Sequence, residues 1–289
     1  MDRNRKIDIM GIVNLTDDSY FAGSRCLCSD DFDRTVECAL ERTGRLISEG
    51  ATMIDIGACS TRPGSVPVGA EEEWRRIGPV LEKVVREFPD IPVSIDTWWA
   101  SVIERAFGVV AGIVGEDKAR DILIANDISA GEDDPEMLPE VGRLGIGYIA
   151  MHKRGNSLTM QSLCDYEDVT RTVSDYFEEF SMKAQKFGLR YWVLDPGFGF
   201  AKNIDQNYQL LAQLDRICSR FAPQGIRTLV GVSRKSMIYK LFGITPEESL
   251  AQTQVLHLKA LQNGADILRV HDVAEASRTL ALYRRLEWR

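Results

Sequence analysis

Short apolar runs alternate with amphipathic stretches along the whole chain. Runs at 9–14, 53–55, 93–96, 122–126, 148–152, 229–233 and 267–271 each end on a polar residue and then break into a loop. The sharpest case is Trp192-Val193-Leu194, followed by Asp195-Pro196-Gly197-Phe198-Gly199-Phe200-Ala201-Lys202. An apolar run of this length suits a buried strand, and the glycines let the chain turn sharply beside a ligand. Apolar positions recur at helical spacing over 30–49, 70–87, 98–107, 135–144, 166–187, 203–221 and 246–263, from Ser233 onward, and in a closing stretch to about 287. Segment 109–118 is ambiguous and reads as an irregular end or short insertion. Segment 17–29 is polar, contains Gly23 and has no helical period, so a long mobile loop is expected. Alternating strands and helices predict a parallel sheet, and about eight repeats predict closure into a (β/α)8 TIM barrel. Polar residues at the carboxyl ends of the strands then form the active-site face.

Composition narrows the picture. At 289 residues the chain matches the ~250 residues typical of such a barrel, so one domain over 1–289 is expected. A hydrophobic content of 44% is ordinary for a globular protein. The net charge of −8 argues against nucleic acid or an anionic membrane as general partner. No apolar run approaches the ~18 residues of a spanning helix, and residues 1–6 are too polar for a signal sequence, so a cytoplasmic location is expected. Cys26, Cys28, Cys38, Cys59, Cys164 and Cys218 show no Cys-x-x-Cys pairing. They read as reduced structural thiols rather than a zinc site.

Asp55, Asp96, Asn126 and Asp195 stand at strand ends. One such residue alone is more often a turn former or helix cap. Four on one barrel face suit a flat heterocycle with an amino-amide edge. Ser233-Arg234-Lys235-Ser236 opens a helical pattern, where backbone N–H groups and hydroxyls favour an anion or an aromatic carboxylate. Lys235 has two readings: a Schiff-base lysine whose pKa Arg234 helps to lower, or an anion contact or donor to a ligand carbonyl. The second is preferred. Arg269 and His271 alternate at the end of the last strand and can both face the lumen. With Arg62 and Asn14 they make a diphosphate cradle, in which Asn14 offers a neutral oxygen to Mg²⁺. His257 reads as a packing or interface histidine. Trp98 and Trp99 either cover the pocket or pack in the core.

Together these motifs resemble the dihydropteroate synthase family, from Ile9 to about Ser277. The resemblance rests on Met10-Gly11-Ile12-Val13-Asn14-Leu15-Thr16, Asp55-Ile56-Gly57 with Ser60-Thr61-Arg62-Pro63-Gly64, Ser94-Ile95-Asp96-Thr97, Asn126-Asp127-Ile128-Ser129, Met151-His152, Leu194-Asp195-Pro196-Gly197-Phe198-Gly199-Phe200, Ser233-Arg234-Lys235-Ser236 and Arg269-Val270-His271-Asp272. Each segment is weak alone; the ordered set is specific. The resemblance implies a homodimeric barrel that joins 4-aminobenzoate to 6-hydroxymethyl-7,8-dihydropterin diphosphate with Mg²⁺, releases pyrophosphate, and is inhibited by sulfonamides. It places Asp96, Asn126, Asp195 and Lys235 on the pterin, with Met151, Phe200 and Arg269 lining or stacking on it. Asn14, Arg62, Arg269 and His271 take the diphosphate, with Asn14 also on the metal. Tyr20, Thr61, Pro63 and Ser233 take the aminobenzoate. Asp96, Asp195 and Lys235 are the expected catalytic set.

The chain also departs from the family pattern. Asp17 stands for a proline, Tyr20 for a phenylalanine and Ala22 for an aspartate in the first loop; Cys59 stands for a glutamate, and Lys153 for an apolar residue. Two competing readings are a methyltetrahydrofolate-dependent methyltransferase barrel and a non-catalytic pterin-binding paralogue. The first leaves Arg62, Ser233-Arg234-Lys235 and Arg269-Val270-His271 unexplained. The second is supported only by the altered first loop.

Overall fold

The computed structural model describes residues 5–16, 26, 32–59, 68–156 and 158–286. Eight strands, β1 (Asp8–Asn14), β2 (Met53–Gly57), β3 (Val93–Asp96), β4 (Leu123–Asp127), β5 (Gly147–Met151), β6 (Tyr191–Asp195), β7 (Arg227–Val230) and β8 (Ile267–Val270), close into a parallel barrel in chain order. The expected (β/α)8 fold is what forms. Strands β2, β4 and β5 are buried along their whole length, as expected for strands covered on both faces.

Among the described residues, eleven α-helices surround the sheet: α1 (Phe32–Ser48), α2 (Ala70–Glu87), α3 (Ala100–Val114), α4 (Glu116–Ile122), α5 (Met137–Leu144), α6 (Val169–Lys186), α7 (Ile204–Ala212), α8 (Leu214–Phe221), α9 (Ser236–Phe242), α10 (Leu250–Gln262) and α11 (Val273–Leu286). Several ends follow from local chemistry. Asp168 caps α6 by accepting from the Arg171 amide, and Asn203 with Gln206 forms a capping box on α7. No helix among them is long and apolar enough to cross a membrane.

Of the two alternatives for segment 109–118, a short insertion is what forms: α3 runs on to Val114, and a short extra helix, α4, begins at Glu116 after Gly115 adopts a φ of 86°. Gly108 and Gly112 interrupt the apolar pattern there without interrupting the helix. The stretch 203–221 is not one helix; it breaks at Gln213 into α7 and α8.

The barrel interior is layered. Met10, Met53, Ile124, Ile149, Val193, Leu229 and Ile267 form their own apolar cluster. Side chains alternate faces along a strand, so the residues two further on also point inward. Those residues are Ile12, Asp55, Asn126, Met151, Asp195, Gly231 and Arg269. Six of these seven line a pocket at the carboxyl end of the strands; the exception is Asp55. One step further on, Asn14, Ser233 and His271 form its rim. The apolar plug supplies a rigid, dry floor under a polar layer.

Candidate active site

The floor is built by strand register. Asp96 on β3 pairs with Asn126 on β4, and Met151 on β5 pairs with Asp195 on β6. Asp55 is not at a strand end, as the sequence suggested. It lies within β2, level with Ser94, and is 0% exposed. It holds two neighbours: the Asn126 amide donates to its Oδ1 at 3.1 Å, and Arg269 Nε donates to its Oδ2 at 2.7 Å. Arg269 Nη2 also donates to Asp96 Oδ2 at 2.8 Å. Asp55 is therefore a support, and Asp96 and Asn126 are the groups it presents to the pocket. Burial raises the Asp96 carboxyl, opposed by Arg269 and reinforced by Asp55. One guanidinium serves two carboxylates, so its opposition to the Asp96 shift is only partial. Two charge-assisted bonds hold the edge of Arg269, which lines the pocket.

Asp195 ends β6 and anchors the turn that follows. Its Oδ1 accepts from the Gly197 amide at 2.8 Å. Gly197 has a φ of 71°, and a Cβ there would sit 2.0 Å from the His152 carbonyl oxygen. Only glycine lets β6 turn this close to β5. Burial raises the Asp195 carboxyl, while the Gly197 amide, Lys235 and Arg269 oppose the shift. Lys235 crosses from the β7 side: its Nζ donates to the Phe198 carbonyl at 2.8 Å and lies 4.5 Å from the Phe200 ring centroid. Burial lowers its pKa to about 8, opposed by Asp195 and aided by Arg269.

Arg234 is not the neighbour that lowers Lys235. It adopts a φ of 53° and turns away, pairing through Nε and Nη2 with the Asp272 carboxylate at 2.8 and 2.9 Å. Its Nη1 donates to the Pro246 and Glu247 carbonyls. Helix α9 begins only at Ser236 and is seven residues long, so Ser233 lies ahead of the helix and not at its start. Ser233 Oγ accepts from the His271 amide at 3.2 Å and lies 3.1 Å from His271 Nδ1. Burial holds the His271 imidazole well below its usual pKa, with Arg269, Arg42, Arg234 and Lys235 acting in the same sense. The ring is neutral at pH 7, so it offers one donor and one acceptor rather than a charge.

The pocket gathers Asn14, Asp96, Asn126, Met151, Asp195, Phe200, Ser233, Lys235, Arg269 and His271. All of these were singled out from sequence. Tyr20, Thr61, Arg62 and Pro63 lie outside the described residues, as does almost all of the first loop. Trp98 and Trp99 do not line the pocket; their ring centroids are 5.9 Å apart, and Trp99 packs against the core. His257 is fully buried, as a packing residue should be. The lining also includes Ile12, Thr16 and Ile128, which the motifs contain without a site role, Cys59, noted only as a departure from the family pattern, and Met160, which no motif contains. Ile12 was recoverable, since it shares the inward phase of Asn14. Met160 lies beyond β5 in a connection without strand or helix period, so nothing in the sequence marked it.

A family described as pterin binding enzyme matches residues 10–271. The chain belongs to that pterin binding enzyme family. The dihydropteroate synthase of Escherichia coli K12 is 36% identical over 269 residues, covering 92% of this chain and 87% of that protein. The Folic acid synthesis protein fol1 of Pneumocystis carinii is 36% identical over 271 residues, covering 92% of this chain. The chain spans 34% of that longer relative. Among solved structures, the Xanthomonas albilineans dihydropteroate synthase with 4-aminobenzoic acid superposes with a TM-score of 0.82 at 36% identity, covering 99% of this chain and 95% of that one. In this barrel Asp96, Asn126, Asp195 and Lys235 line the same pocket as Asn14, Ser233 and His271.

Proposed function

We propose that the chain is a dihydropteroate synthase of folate biosynthesis, joining 4-aminobenzoate to 6-hydroxymethyl-7,8-dihydropterin diphosphate and releasing pyrophosphate. The observation that carries this reading is one pocket with two chemically distinct parts. Carboxylates, an amide and Arg269 line its floor, and Asn14, Ser233 and His271 gather at its rim. A dihydropterin carries amino and N–H donors along one edge and a ring carbonyl. Asp195, Asp96 and Asn126 suit the former, and the Lys235 ammonium suits the carbonyl. Arg269 and His271, with Arg62, offer donors to the diphosphate, and Ser233, Tyr20, Thr61 and Pro63 are assigned to the aminobenzoate. The likeness to a synthase solved with 4-aminobenzoic acid supports that second substrate.

In the reaction, the bond between the pterin methylene and the diphosphate oxygen breaks, and the oxygen keeps the electron pair. The aniline nitrogen bonds to the methylene carbon and gives up one proton. Positive charge spreads from the methylene into the ring, towards Asp96 and Asp195. Fixed carboxylates on a rigid floor stabilise that charge without reorganising. The floor also holds the methylene in place for attack.

Mg²⁺ is part of the same proposal. Among the described residues, no group of three His, Cys, Asp or Glu could hold a metal. Asn14 is a neutral oxygen donor on the pocket wall, which fits an ion that keeps waters and substrate phosphates as its other ligands. When bound, the ion neutralises diphosphate charge. A homodimer and a cytoplasmic location complete the reading. Exposed Val255 on α10 and Leu282 on α11, two helices that pack on each other, support a contact with a second copy.

A methyltransferase barrel leaves the rim donors without a ligand. Incubation with both substrates and mass spectrometry of the products separates the two readings. Equimolar 7,8-dihydropteroate and pyrophosphate support the synthase. Methyl transfer from methyltetrahydrofolate, without dihydropteroate, overturns it.

A further inference from the structure

Two lysines hold the turn after β6 from opposite sides. Lys235 reaches it from the pocket and donates to Phe198 O at 2.8 Å. Lys202 reaches it from behind and is only 3% exposed. Lys202 Nζ donates to Gly197 O and Phe200 O, each at 3.0 Å, and lies 3.0 Å from His152 Nδ1. An ammonium has three protons, and here each has one acceptor. The His152 imidazole is 2% exposed, and burial keeps it well below its usual pKa, so Nδ1 can accept. The lysine backbone is held in turn, since Asn207 Nδ2 donates to Lys202 O at 3.0 Å and Asn207 Oδ1 accepts from the Gly199 amide at 2.7 Å.

We infer that Lys202 is a positioning residue for the pterin site: its ammonium keeps the 195–200 turn in its binding shape when Lys235 leaves Phe198 to meet the substrate. The inference rests on the proposed role of Lys235 as donor to a ring carbonyl. A ligand that draws the Lys235 ammonium towards its carbonyl loosens one of the two clamps just when Asp195 and Phe200 must stay fixed. Lys202 does not itself line the pocket and acts through Gly197 and Phe200, which it bonds, and through the charge of Asp195.

Charge also couples Lys202 to Asp195. The groups facing Lys202 are His152 at the end of β5, Asp195 on β6, Lys235 after β7, and Arg154 and Cys164 between β5 and α6. Burial lowers the Lys202 pKa to about 7, and Asp195 opposes the shift. In the other direction, the Lys202 cation favours the ionised form of Asp195.

The test is Lys202→Met and Lys202→Arg, assayed with 6-hydroxymethyl-7,8-dihydropterin diphosphate and 4-aminobenzoate beside the wild type. Lys202→Met is expected to raise KM for the pterin diphosphate at least tenfold and to leave KM for aminobenzoate within twofold. It is also expected to move the acidic limb of the kcat/KM profile to higher pH. Lys202→Arg keeps the charge, so that limb should return towards its wild-type position. A packing role alone would lower the melting temperature and leave the two KM values and the pH limb unchanged or shifted in parallel; that result overturns the inference. If Lys202→Met does not fold, the arginine variant decides: a raised pterin KM with a wild-type limb supports the clamp, and an unchanged pterin KM refutes it. Failure of the wild type to make dihydropteroate would instead refute the proposed function.

Discussion

Arg269 Nη2 donates to Asp96 Oδ2 at 2.8 Å across the barrel mouth, from β8 to β3. The same guanidinium bonds Asp55, which has no exposure to water. Removing one partner of a buried pair leaves the other charge uncompensated, at a cost of about 3–5 kcal/mol. Arg269→Ala is therefore expected to lower folding stability by about that amount, read as a shift in the urea midpoint. It should also weaken the pterin diphosphate more than a pterin without phosphates. An unchanged midpoint would mean that the pair does not form in solution.

His271 makes a cleaner probe of the diphosphate end, because its ring is neutral and replacing it strands no charge. His271→Ala is expected to cost about 1–3 kcal/mol in binding of the pterin diphosphate. Binding of the phosphate-free pterin should change little. Calorimetry with the two ligands decides, and equal losses would reassign His271 to the ring or to folding.

Glu73 on α2 is fully buried, and neither carboxyl oxygen makes a hydrogen bond of acceptable geometry. Burial raises its pKa from 4.5 to about 8, although the Thr97 hydroxyl acts to lower it. The folded chain thus holds this proton more tightly than the unfolded chain. Below pH 4.5 both states are protonated. Between 4.5 and about 8 the unfolded state ionises first, so stability falls as pH rises, by on the order of 5 kcal/mol in total. Glu73→Gln removes that loss. Its melting temperature should exceed the wild-type value clearly at pH 8 and hardly at pH 5. A pH-independent difference would show that Glu73 ionises normally.

The barrel was legible because its strands are continuous apolar runs that stop on polar residues. The inward phase of Met10 and Asn14 on β1, and of Ile267 and Arg269 on β8, carries the layering directly. The position of the two-helix break at Gly115 was not legible, since Gly108 and Gly112 interrupt the apolar pattern as Gly115 does, yet α3 runs through both. In the site, sequence located Asp96, Asn126, Asp195 and Lys235 but misjudged depth. Asp55 looks like its neighbours in sequence, yet the register of β2 and β3 sets it level with Ser94, below Asp96 and away from water. The partner of Arg234 was hidden for a similar reason: Asp272 lies 38 residues away. Lys202 drew no attention because its acceptors are mostly backbone carbonyls, which leave no mark in a sequence.

The central claim is that the carboxylate floor recognises the pterin ring, and Asp195→Asn tests it most directly. Asp195 Oδ1 is committed to the Gly197 amide, and an asparagine oxygen can keep that bond and the turn. The change then falls on Oδ2, where an amide presents a donor to the donors of the ring. Each mismatched group costs about 1–3 kcal/mol. Calorimetric titration with 6-hydroxymethyl-7,8-dihydropterin diphosphate should show affinity reduced by about tenfold to a hundredfold or more, with the melting temperature of the free protein little changed. Wild-type affinity in the folded Asp195→Asn variant would contradict the account and remove Asp195 from the pterin site.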